Sequence, residues 1–324
     1  MAYAAHGLGA FLSLAALTLL SDMVSRAQDR RLKDRLAVAL MIGFTAASAW
    51  SPFYVSVAVV LAACPGMKWT DIAAPDLFLG FAVVGLTAAM DPLIARRPGS
   101  PPPVRRPAEN PYWGRLIVLL ASLMAAVITV ETVFHLSIPV VLALVSPPFA
   151  VVWLLIGRGG PADARRQPRR VVQAQPGLRG EALVFVSAKL FGTRISAALD
   201  PAGVAGVLHI ALWPDWLKSL ALALFIIAAG AAGLHPVVLV IIIGTALPPD
   251  VFGMPPLIMA LVMLGTWGLS TTSSPFSGTT LVVGRLTGES SFRLAWTSAP
   301  LYTVSGAVLV ALIAWAVWRT GWFL

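Results

Sequence analysis

The stretch Ser270-Thr271-Thr272-Ser273-Ser274-Pro275-Phe276-Ser277-Gly278-Thr279-Thr280 carries eight hydroxyls in eleven residues. Hydroxyls donate to an oxyanion or lend oxygens to a sodium ion. Pro275, in the middle, removes a backbone donor and breaks a helix. A second Ser-Pro-Phe stands at Ser51-Pro52-Phe53, with Ser48 and Ser56 nearby. The expected binding residues are therefore Ser51, Pro52, Phe53, Ser56, Ser273, Ser274, Pro275, Phe276, Ser277, Thr279 and Thr280. The competing reading is helix packing, since small hydroxyl residues are common at membrane helix contacts. Phe53, Phe276 and Trp50 either wall such a site or pack in the core.

The remaining polar residues are weaker candidates. Arg285 either attracts an anion or snorkels to an interface. Lys189 and Arg194 lie in one apolar run, where charge is expensive and faces a partner or a cavity; a helix lying flat at the interface is the equal alternative, and Glu181 sits too near its end to be a firm partner. Glu131 and Asp91 close their apolar runs as solvated acids or as proton carriers. His235-Pro236 marks a tight turn. Enzyme motifs are missing: there is no His-Glu-x-x-His zinc helix, no Gly-x-Ser-x-Gly elbow and no phosphate-cradling glycine loop. Cys64 is the single cysteine, and the four histidines lack metal-ligand spacing. An enzyme and a metal centre are not expected.

The elements that must position these residues follow from composition. Of 324 residues, 58% are hydrophobic and 11% charged, against roughly 25% charged in an ordinary globular domain. Mean hydropathy is +0.84. Apolar runs near 20 residues match a hydrocarbon core of ~30 Å, and they are continuous rather than alternating, which indicates helices. The net charge of +9 reflects arginines gathered in short loops, as the positive-inside rule requires, and not a nucleic-acid surface. The first run lacks a basic leader and a small-residue cleavage site, and reads as a retained span.

About ten transmembrane segments are expected, near residues 5–24, 36–64, 74–95, 114–134, 137–157, 182–198, 217–233, 234–248, 256–286 and 294–318. The loops Ser25–Arg35, Arg96–Arg115 and Arg158–Gly180 carry most of the basic charge and should be cytoplasmic. The last, at 158–180, reads as a flexible linker with an anionic-lipid contact as its alternative. Two runs are too long: 29 residues at 36–64 and 31 at 256–286 would extend about 44 and 46 Å as single helices. Each holds Ser-Pro-Phe in its middle, so each is expected to be a broken helix or a re-entrant hairpin.

Setting the two motifs in register places Ala47–Gly66 over Ser270–Gly288. Downstream, Trp69-Thr70 and Ala74-Pro75 match Trp296-Thr297 and Ala299-Pro300. Upstream, His6-Gly7-Leu8 and Gly233-Leu234-His235 each open a run that ends in an acid, Asp22 or Asp250. Three expected regions result: a first repeat at 1–95, central spans at 96–232 and a second repeat at 233–324. By loop charge the copies insert with opposite topology. Paired interrupted helices in inverted halves point to a substrate site near the bilayer midplane, with alternating access by a secondary transporter (permease).

These motifs resemble the ion transporter superfamily, which includes divalent anion/sodium symporters and arsenite permeases. Ser51 and Ser274 are 223 positions apart, close to the separation of the two hairpin tips in that family. The resemblance implies that both Ser-Pro-Phe tips bind substrate and coupling ion, Na+ or H+, and that the protein is a homodimer. Where the dicarboxylate carriers have Ser-Asn-Thr at the tip, Pro and Phe stand here; the chain also starts almost inside its first repeat. The sequence expectation is an all-α integral membrane protein, bound to membrane lipid and to a small-molecule solute, in a bacterial inner membrane. An ion or solute channel and a non-transporting scaffold are its alternatives.

Overall fold

The computed structural model describes residues 1–12, 14–95, 113–156, 179–198, 200–207 and 209–322. Most of the Arg96–Arg115 loop and nearly all of the basic linker lie outside the described residues, as do the side chains of Glu181 and Lys189. Every regular element among the described residues is helical, and none is a strand. In chain order the helices are α1 (Ala2–Leu12), α2 (Leu14–Ser25), α3 (Arg30–Ala46), α4 (Val55–Ala63), α5 (Trp69–Ala95), α6 (Trp113–Phe134), α7 (Ile138–Ile156), α8 (Arg179–Ala198), α9 (Pro201–Val207), α10 (Asp215–Ala231), α11 (Pro236–Ala246), α12 (Pro249–Phe252), α13 (Pro256–Ser273), α14 (Gly278–Thr287), α15 (Ser291–Arg293) and α16 (Pro300–Thr320). A 3₁₀ turn at Ala47–Ala49 extends α3, and a π-helical turn at Leu294–Ser298 joins α15 to α16.

Three described helices are long and apolar enough to cross a membrane: Trp69–Pro92, Pro256–Ser273 and Pro300–Thr320. Shorter apolar helices occupy Ala16–Ser25, Val118–Phe134, Ile138–Trp153 and Pro236–Thr245. Both over-long runs are interrupted. The 36–64 run divides into α3 and α4 around residues 50–54, and the 256–286 run divides into α13 and α14 around 274–277.

The chain forms two compact units, Met1–Arg97 with Ser187–Leu324, and Pro98–Val186. The second contains α6 packed on α7, and Glu131 is buried in the last turns of α6. The first unit contains both breaks. Its centre is α13, most of whose residues are buried. Around it α10 packs on α13 and α16, and α1 packs on α3 and α5. The pieces beyond the breaks cross over: α4 packs on α11, and α14 packs on α2.

One end of this unit is held by ion pairs. The Arg35 guanidinium donates to both oxygens of Asp91, Nε to Oδ1 at 2.8 Å and Nη2 to Oδ2 at 2.7 Å. That hydrogen-bonded carboxylate raises the pKa of Arg35. Arg293 donates through Nε to Asp34 Oδ2 at 3.1 Å. Glu289, nearly buried at 9% exposure, faces Arg30 at 3.9 Å and Lys33 at 4.0 Å. Asp91, expected to be solvated or a proton carrier, keeps 38% of its side chain accessible and is one half of a bidentate pair.

Candidate functional site

Proline sets the geometry of both breaks. In a continuous helix the N–H of residue 52 would bond to the carbonyl of Ser48, and that of residue 275 to Thr271. Pro52 and Pro275 have no N–H, so both carbonyls are orphaned inside the unit. The structure satisfies both from beyond the break. Ser56 Oγ donates to Ser48 O at 2.5 Å. Ser277 Oγ donates to Thr271 O at 2.5 Å, and Thr280 Oγ1 to the same oxygen at 3.1 Å. Ser277 also caps α14, its Oγ accepting from the Thr280 N–H at 3.1 Å. Ser48 and Thr271 are 223 residues apart, as the two Ser-Pro-Phe motifs are, and the two breaks solve one problem with hydroxyls at slightly different positions.

The helices leading into the breaks meet at equivalent residues. A Cβ on Gly268 would overlap the carbonyl of Thr45, so glycine permits the two backbones to touch there. Thr45 Oγ1 and Thr272 Oγ1 stand 3.2 Å apart. Ten residues separate Thr45 from Arg35, about 15 Å of helix. That is about half the ~30 Å of a hydrocarbon core. Two further glycines permit close approach to these helices: Gly80 of α5 lies against the Ala46 carbonyl, and Gly306 of α16 lies against the Leu269 side chain.

Most expected site hydroxyls are buried and already donate to protein carbonyls. Ser51 Oγ donates to Ala10 O at 2.5 Å. Ser270 Oγ donates to Ile226 O at 3.1 Å, and Ser273 Oγ lies 3.4 Å from Ile227 O and 3.0 Å from Ser270 O. Ser274 is buried at the turn, and Thr279 is buried in the first turn of α14. A hydroxyl that has given its proton keeps its lone pairs. The cluster therefore offers acceptors, which suit a cation or a donor group on a solute better than an anion. Donors are found instead in the first turns of α4 and α14, where the helix N-termini carry positive dipole ends.

The two motif phenylalanines differ. Phe53 packs its ring 6.1 Å from that of Phe11. Phe276 is 56% exposed and stacks edge-on with Phe292 at 5.4 Å, against the turn at Gly233, whose φ is +100°. A groove of about 400 Å³ opens beside the second break, lined by Leu224, Ile227, Ser273, Trp296, Pro300 and Thr303 among others.

Residues expected to be weaker candidates stand apart from the breaks. Arg285 and Arg194 are exposed. The upstream repeat match does not carry into structure: His6 lies inside α1, whereas His235 caps α11, its Nδ1 accepting from Val237 N at 3.2 Å. A similar tripeptide occupies two different local structures.

One polar residue goes unremarked in the sequence. Asp76 is fully buried in α5, and neither carboxylate oxygen meets a hydrogen-bonding partner among the described residues. The signal was available, an acid within an apolar run, but Asp76 sits close enough to the start of that run to pass for a solvated end. Compared with known proteins, the chain matches no family model and no curated sequence.

Proposed function

We propose that this chain is a multi-pass membrane transporter, a permease moving a small polar or anionic solute by alternating access in a bacterial inner membrane, coupled to Na+ or H+. The observation that carries the reading is the pair of proline breaks on either side of the Thr45–Gly268–Thr272 contact, at about mid-depth. Irregular backbone at that depth is tolerated only where it is buried in protein or lines a cavity. Two interrupted helices in corresponding halves are the usual setting of a transported ligand.

Opposite insertion of the two halves is supported by the ion pairs. α3 departs from the end where Arg35 meets Asp91 and Arg293 meets Asp34, and α14 arrives at that same end through Thr287 and Gly288. The crossover of α4 onto α11 and of α14 onto α2 is the exchange an internal two-fold would produce. On this reading the repeat includes α10 as the counterpart of α1.

The competing reading is a scaffold, favoured by the number of hydroxyls donated to backbone carbonyls. Thermal melting of the purified protein against sodium, protons, dicarboxylates, other oxyanions and neutral solutes separates the two. A ligand at 100 times its Kd stabilises by ~2.7 kcal/mol. The expected result is a solute- and ion-dependent shift in wild type that Ser274→Ala abolishes while its unliganded melting temperature is kept. Well-folded protein that shifts with none of the panel would make the scaffold the better reading.

A further inference from the structure

Asp76 stands level with the first break. Both helices can be measured from the Arg35–Asp91 pair. α3 and its 3₁₀ turn run fifteen residues from Arg35 to Trp50, and α5 runs fifteen residues back from Asp91 to Asp76, about 22 Å in each case. Two contacts fix the face. Trp69, Asp76 and Gly80 fall on one stripe of α5, since offsets of seven and four residues nearly close whole turns. Trp69 Nε1 donates to the Trp50 carbonyl at 2.8 Å. Gly80 lies against Ala46 O, His6 Cε1 and Trp50 Cδ1. Asp76, between them, faces the broken segment.

We propose that Asp76 is a proton-binding site. Its carboxyl is protonated in this closed arrangement and gives the proton up when the Trp50–Phe53 segment moves and admits water. On release the O–H bond breaks, the proton passes to water and the electron pair stays on the carboxylate. A bare carboxylate without a partner in such a place carries a large desolvation cost, so the neutral acid is the form the enclosure accepts. A sodium ion needs several oxygens around it, and at this level the one motif hydroxyl, that of Ser51, is turned to Ala10 O.

The other titratable groups on elements packed against α5 are accounted for. His6 of α1 accepts from Trp50 Nε1 at 3.2 Å. At the charged end of α3, Asp34 and Arg35 are paired with Arg293 and Asp91, Arg30 and Lys33 face Glu289, and Arg31 is exposed. Tyr302 of α16 lies near that same pair, and Arg319 is exposed. Tyr3 of α1 is exposed too. Neither α13 nor the 3₁₀ turn carries a charged residue. On the break side the titratable groups are His6 and Tyr54, whose hydroxyl lies 2.9 Å from Gly9 O and 3.3 Å from Phe44 O.

The role of Asp76 in coupling rests on the transporter reading; proton binding by itself does not. The test is labelling of native membranes with a hydrophobic carbodiimide, which reacts with protonated carboxyls, followed by mass spectrometry of the peptide containing Asp76. The expected result is an adduct on Asp76 that falls through a single step as pH rises and is indifferent to exchange of choline for sodium. Asp76→Asn, which replaces a neutral acid with a neutral amide, keeps the wild-type melting temperature. Protection by sodium at fixed pH would overturn the proposal in favour of a cation site, and absence of the adduct at every pH would overturn it outright. Failure here with a solute-dependent melting shift intact removes Asp76 and leaves the transporter. A pH-dependent adduct with no shift from any solute keeps the proton site and removes the transporter.

Discussion

Beside the first break, Trp50 occupies the space between α1 and α5. Its indole donates to His6, its carbonyl accepts from Trp69, and its ring lies edge-on to Phe11 at 6.4 Å. At the equivalent position beside the second break stands Ser273, and the same kind of space is open as the 400 Å³ groove. The backbone device is shared, a proline with its orphaned carbonyl rescued by a downstream hydroxyl, while the side-chain filling is not. The two breaks thus differ: one is plugged by Trp50 and lies level with a buried acid, and the other is flanked by an open, largely apolar groove in which Ser273 and Thr303 are the hydroxyl-bearing lining residues. If solute enters from the groove and a proton resides behind the plug, the asymmetry separates the two ligands.

The sharpest way to break this comparison is to exchange the fillings. Trp50→Ser should open a groove beside the first break and cost about 3 kcal/mol, the low end for truncating a packed tryptophan, because Trp50 keeps some exposure. The reverse change, Ser273→Trp, should fill the second groove and abolish any solute-induced melting shift. Chemical denaturation in detergent for the first and the ligand panel for the second check both. Wild-type ligand response in Ser273→Trp would show that the groove is incidental.

A smaller effect tests the shared device. In the first copy, Ser56 is the sole side chain donating to the Ser48 carbonyl among the described residues. Ser56→Ala should leave that carbonyl buried and unpaired and cost about 1–3 kcal/mol. Pairing α4 against α11 should loosen at the same time, seen as faster hydrogen exchange in Val55–Ala63. No change in stability would mean the break relaxes to satisfy the carbonyl in another way.

Much of this was legible in the residues. Run lengths too long for one span and a proline in the middle of each gave the two interruptions, and hydroxyl density marked the neighbourhood of the second. What stayed hidden was long-range. The Arg293–Asp34 pair joins residues 259 positions apart, and nothing local to either announces it. Asp76 drew no notice three residues into an expected 74–95 run, whereas α5 begins at Trp69 and lies along the broken segment. The hydroxyls misled in part: their number suggested open ligands, whereas the missing proline N–H had already claimed several as donors. His6 and His235 show the opposite error, where a likeness of letters concealed one residue inside a helix and another at a cap.

The smallest effect separates the copies most finely. Thr271 has two hydroxyl donors where Ser48 has one, so the second break is redundantly satisfied. Thr280→Val keeps the side-chain shape and leaves Ser277 on the carbonyl, and it should cost only a few tenths of a kcal/mol, near the average for side-chain hydrogen bonds measured in membranes. Ser277→Ala should cost about 1 kcal/mol by itself because it also removes the cap of α14. The double variant should exceed the sum of the two, since only then is the carbonyl abandoned, and coupling between groups that share a partner is the expected source of such non-additivity. A double-mutant cycle by denaturant unfolding measures it. Strict additivity would mean that one of the two hydroxyls never supports Thr271, and the second break would then be built like the first, with one donor to one carbonyl.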